Sequence, residues 1–126
     1  MLELFEQSQN LLANTAVGFK RYLINEIRWN SRLIGIKGSR GTGKTTLILQ
    51  WLKEQNLPVE KAAYFSLDDL YFTNHSLKDT ARDFYKQGGK ILLLDEVHKY
   101  KSWSTEIKNI YDFYPDLKIV FTGSSI

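Results

Sequence analysis

Gly38, Gly41 and Gly43 crowd the junction between two apolar segments of opposite character. The segment before them, Arg32-Leu33-Ile34-Gly35-Ile36, has no amphipathic period and reads as a short buried strand. The segment after them places Leu47, Ile48, Trp51 and Leu52 on one face of a helix beginning at Lys44, which must stop before Pro58. Glycines at this density take backbone angles that other residues resist and leave the N–H groups uncovered. The helix behind them aims its positive end at the same point. A strand, a bare turn and a helix start in this order therefore make a receptor for dense negative charge.

The turn can be read more closely. Gly38-Ser39-Arg40-Gly41-Thr42-Gly43-Lys44-Thr45 matches G-x-x-x-x-G-K-[ST], the Walker A pattern, at every fixed position. Its backbone would cradle a triphosphate. Lys44 adds a point charge on the β and γ phosphates, and the Thr45 hydroxyl is a hard oxygen suited to Mg²⁺. Thr46 packs, caps or touches the α phosphate. Farther on, Ile91-Leu92-Leu93-Leu94-Asp95-Glu96 is an apolar strand ending in two carboxylates, like a Walker B motif. Asp95 is expected to hold Mg²⁺, and Glu96 to take a proton from the attacking water or orient it. Val120-Phe121-Thr122-Gly123-Ser124-Ser125 ends on small polar groups, where a sensor of the γ phosphate is expected; Ser124 is the first choice and Thr122 the second.

The rest of the chain supplies a frame for these three points. Residues 2–13 look weakly helical, and Phe19, Leu23, Ile24 and Ile27 recur at helical spacing. Ala62 to Leu67 reads as a second strand. Ser76 caps a helix whose inner face is Leu77, Ala81, Phe84 and Tyr85 and which ends at Gly88-Gly89. Lys90 to Leu94 is the third strand, apolar without alternation, as when both faces are covered. Ser102 or Ser104 starts a helix with Ile107, Ile110, Tyr111 and Tyr114 inside, closed by Pro115, and Leu117 to Phe121 is the fourth strand. Strands alternating with helices predict an α/β chain, a three-layer αβα sandwich on a parallel sheet, with ligands beyond the carboxyl ends of the strands. The division expected is a helical segment over 1–30 and the phosphate-binding core over 31–126.

Composition narrows the chemistry. With no cysteine, disulfides, thiolate zinc sites and cysteine nucleophiles are excluded. A hydrophobic fraction of 43% with 25% charged residues is that of a water-exposed globular domain. The N-terminus is acidic where a signal peptide would be basic, and no apolar run approaches the roughly 20 residues that span a bilayer, so a cytoplasmic, membrane-free protein is expected. A net charge of +3 without a dense Lys/Arg run suits phosphate and makes no case for nucleic acid.

A glutamate directly after the Walker B aspartate resembles the hydrolase branch of P-loop proteins. The Asn-Lys-x-Asp motif of GTPases and the Leu-Ser-Gly-Gly signature of transporter ATPases are both absent, which favours adenine. The loop from Gly38, then Tyr64-Phe-Ser-Leu-Asp-Asp69, then Gly89 to Tyr100, then Pro115 to Ser125, together resemble the AAA-type ATPases of bacteria and archaea, in particular the group that often carries a C-terminal domain. That resemblance implies strand order 5-1-4-3-2, of which four strands are expected here. It also implies ATP and Mg²⁺ as ligands. A fifth strand, a second sensor and any arginine finger would lie in a C-terminal continuation, and a homo-oligomer is a further possible partner.

Several residues carry two readings each. Asp68 and Asp69 belong either to the Mg²⁺ water shell or to a turn and cap. Arg40 contacts phosphate or a partner, or is simply exposed. His98 relays nucleotide state or packs; Trp103 anchors its helix or stacks on a base. The overall function expected is ATP binding with Mg²⁺-dependent hydrolysis; the alternative is a nucleotide-dependent switch with little turnover.

Overall fold

A computed structural model describes residues 2–13, 27–38 and 43–124. The helix expected around Phe19, Leu23 and Ile24 lies outside the described residues, as do Ser39, Arg40, Gly41, Thr42 and Ser125. In chain order the elements are α1 (Leu2–Ala13), β1 (Leu33–Lys37), α2 (Lys44–Glu54), β2 (Ala62–Ser66), α3 (Tyr71–Asn74), α4 (Leu77–Lys86), β3 (Ile91–Asp95), α5 (Trp103–Phe113) and β4 (Lys118–Gly123). Single 3-10 turns cover Val59–Lys61 and Val97–Lys99.

The four strands form one parallel sheet in the order β1-β4-β3-β2. Alternation of side chains sorts them into two cores. Ile34, Ile36, Tyr64, Leu93 and Val120 face the buried side of α2. Ala63, Phe65, Leu92, Leu94 and Ile119 face the other way, onto Leu77, Ala81 and Phe84 of α4 and Ile107 and Ile110 of α5. The three layers expected of the sequence are thus present. Both central strands, β3 and β4, are apolar on both faces because each face has a helical cover.

Local signals account for where the elements stop. Ser76 Oγ accepts the Asp79 N–H at 3.0 Å and starts α4. Gly88 ends it with φ of 96°, a conformation that an L side chain resists. Gly89 answers a different need: a Cβ there would lie 2.3 Å from the Phe84 ring, which is fully buried. Ser102 precedes α5 without a side-chain cap; its hydroxyl donates instead to Glu106 at 2.5 Å. The far end of α5 is closed by Arg32, whose guanidinium donates to the carbonyls of Tyr111, Tyr114 and Leu117 and lies 3.7 Å from the centre of the Tyr111 ring. A residue just before β1 thereby ties the last helix to the sheet.

The β2 edge is covered rather than left open. Helix α1 packs along it, and Ser8 Oγ accepts the Tyr64 N–H at 2.8 Å, satisfying a group that an edge strand would otherwise present to water. Leu4 of α1 is part of the core. No described helix is long and apolar enough to cross a membrane.

Candidate functional site

The carboxyl ends of β3 and β4 and the amino end of α2 converge on Asp95. Its carboxylate is 2% exposed and accepts hydroxyl protons from three elements. Thr45 Oγ1, in the first turn of α2, donates to Oδ2 at 2.5 Å. Tyr64 Oη, from β2, donates to the same oxygen at 2.6 Å. Thr122 Oγ1, from β4, donates to Oδ1. An acid this well supplied with donors is held as an acceptor in one orientation.

Tyr64 was not singled out in the sequence, because a tyrosine in a strand reads as core. It is core, but its hydroxyl reaches the site. Burial, then the charge of Asp95 and the hydrogen bond to it, push the phenol far above its ordinary value of 10.0. The sign follows: a raised phenol adds stability that is full below pH 10.0 and is lost as pH climbs past it, because the unfolded chain gives up its proton first. Between about pH 9 and about pH 11 the urea midpoint of the natural chain should fall more than that of a Tyr64→Phe chain. An equal fall in both would remove Tyr64 from the account.

The glycine-rich turn, the candidate phosphate cradle, is anchored at both described ends. Gly38 N–H donates to Gly123 O at 3.3 Å, so the loop leaves the sheet against the end of β4. Gly43 precedes α2 with φ of 85°, the left-handed geometry for which glycine is suited. Lys44 is only 8% exposed, and its Nζ donates to Gly38 O at 2.6 Å across the mouth of the loop. Thr46 is exposed beside it.

Glu96 follows Asp95 in a left-handed conformation, φ 56° and ψ 43°, uncommon for a residue with a side chain. Its N–H donates to Thr122 Oγ1 at 3.2 Å. The buried Thr122 hydroxyl therefore serves both acidic residues at once, donating to one and accepting from the other. This separates the two sensor candidates. Thr122 is fully buried and committed to the acidic pair, whereas Ser124 is partly exposed beyond it, 3.2 Å from His98 Nε2. The acidic turn after β2 also divides: Asp69 Oδ1 accepts the Tyr71 N–H at 2.9 Å at the start of α3, while Asp68 is exposed. Trp103 packs at 5.7 Å from the Phe121 ring, as an anchor for α5 would.

Comparison with known proteins agrees with the fold. A family model described as AAA domain matches residues 30–126. The chain belongs to the AAA domain family. Among solved structures this AAA domain is similar to C. elegans PCH-2, with a TM-score of 0.54 at 17% identity, covering 98% of this chain and 37% of that one. That likeness is one of fold. No curated protein sequence matches the chain.

Proposed function

We propose that this AAA domain binds Mg·ATP on the Gly38–Thr45 loop and hydrolyses its terminal phosphoanhydride. The observation that carries the reading is the contact of Thr45 with Asp95 at 2.5 Å, beside the sheltered Lys44. Two hard oxygens from separate elements meet where the loop, the helix start and the strand ends converge.

The donor set fits a magnesium ion: a hydroxyl and a carboxylate, both hard oxygens, in a chain without cysteine. Thr45 would ligate it directly and Asp95 would hold it, directly or through its water. When bound, the ion neutralises charge on the β and γ phosphates. The other roles belong to the chain itself. The Lys44 ammonium exchanges the Gly38 carbonyl for phosphate oxygens, a stronger partner for a cation. The backbone N–H groups of Ser39, Arg40, Gly41, Thr42 and Gly43 receive the remaining phosphate oxygens, and Thr46 lies nearest the α phosphate. Glu96 takes a proton from the water that attacks the γ phosphorus in line, the bond to the β–γ bridging oxygen breaks, and ADP leaves with that oxygen. Ser124 contacts the γ phosphate or the water from the β4 side.

The testing experiment is steady-state phosphate release from ATP, with and without magnesium. Release that depends on magnesium supports hydrolysis. Tight nucleotide binding without release would instead support a nucleotide switch, in which bound ATP orders loops and alters partner affinity.

A further inference from the structure

His98 is absorbed by none of the roles above, yet its ring is fixed at both nitrogens. It sits in the 3-10 turn after Glu96, with its side chain 17% exposed. The Ser124 backbone N–H points at Nδ1 from 3.2 Å. A backbone N–H can only donate, so Nδ1 is the acceptor and the proton of a neutral ring resides on Nε2. That Nε2 lies 3.2 Å from Ser124 Oγ and 3.8 Å from Glu96 Oε2. That proton faces the Ser124 hydroxyl just past β4 at hydrogen-bond distance, with the carboxylate assigned above as base lying beyond it at 3.8 Å.

We propose that His98 is a positioning residue that holds the Glu96 carboxylate in register with the end of β4. Strand β4 already fixes the Glu96 backbone, through Thr122 Oγ1 and the Glu96 N–H. His98 extends the same control to the side chain, because its own orientation is set by Ser124, the residue just past the end of that strand. A change of about 1 Å in the Glu96 side chain brings Oε2 within hydrogen-bond reach of Nε2. A shift of Ser124 on meeting a phosphate oxygen is passed through the ring to the base. The inference deepens the hydrolytic reading and rests on it for its kinetic consequence, while the tautomer and the contact stand independently of turnover.

Long-range ¹H–¹⁵N correlation spectra at alkaline pH read the tautomer directly. The chain has two histidines, so His98→Gln identifies the signals by their loss. Nδ1 should be unprotonated and Nε2 protonated, and Glu96→Ala should shift the His98 Nε2 resonance. An Nδ1–H tautomer, or an unmoved resonance, would overturn the proposal. In kinetics, His98→Ala should lower kcat by about 10–100-fold with nucleotide affinity changed less than about twofold. His98→Gln, whose amide offers both a donor and an acceptor, should recover most of the loss. An unchanged kcat in His98→Ala, or a Gln variant no better than Ala, counts against the role. If the natural chain releases no phosphate at all, the hydrolytic reading fails, and the spectra alone decide where His98 points.

Discussion

Replacing Glu96 by Gln should leave Mg·ATP bound and slow its turnover by about 10²–10⁴-fold, the usual worth of a positioned general base. The substitution keeps the volume of the side chain and removes its ability to accept a proton. Among the described residues, those proposed to hold the nucleotide do so without that side chain: Lys44 and Thr45 belong to α2, and Thr122 binds the Glu96 backbone N–H. Binding and catalysis should therefore come apart cleanly. In single-turnover measurements the variant should accumulate uncleaved ATP on the protein. A variant that hydrolyses at the natural rate would show that Glu96 is not the base, and loss of binding would show that it belongs to the cradle.

The second large effect is on stability. Thr122→Val keeps the shape of a fully buried side chain and deletes its hydroxyl. Asp95 Oδ1 then loses its donor from Thr122, and the Glu96 N–H loses its acceptor. Each group left without its partner costs about 1–3 kcal/mol. The two share one network and do not add fully, so the net loss should be about 2–4 kcal/mol. It should appear as a lower urea midpoint with an unchanged slope. Thr122→Ser, which restores the hydroxyl, should recover most of it. A neutral valine would mean that Thr45 and Tyr64 suffice to hold Asp95 and that the Glu96 N–H does not depend on Thr122.

How far these features could be read from sequence depended on whether the signal was local. Strand β3 was legible because Ile91 to Leu94 is apolar without alternation, and α4 because Ser76 and Gly88 mark its ends within a few residues of chain. The strand and helix that flank the Gly38–Gly43 turn were legible for the same reason: β1, the glycines and the start of α2 are contiguous. The short α3 was not expected, since Tyr71–Asn74 is too brief to show a period. Tyr64 and Arg32 were missed for a different reason. Each makes its decisive contact with a residue far along the chain, Asp95 for one and the end of α5 for the other. A strand tyrosine and a lone arginine carry no pattern that announces such partners. The same holds for Thr122 and Ser124, which look alike in sequence and are told apart by burial and by the direction of their hydrogen bonds.

The most direct test of the central claim is a calorimetric titration of Mg·ATP into the natural chain and into Lys44→Ala, with both first shown to be folded. Lys44 Nζ bridges the mouth of the loop to Gly38 O, while the hydroxyls that hold Asp95 come from Thr45, Tyr64 and Thr122, so its loss should remove affinity and leave the fold. The account predicts saturable binding by the natural chain, and binding weakened by about 100-fold or more in the variant, as for the loss of a buried charged partner to phosphate. Equal affinity in the two chains would contradict it, because the nucleotide would then be held somewhere other than this loop.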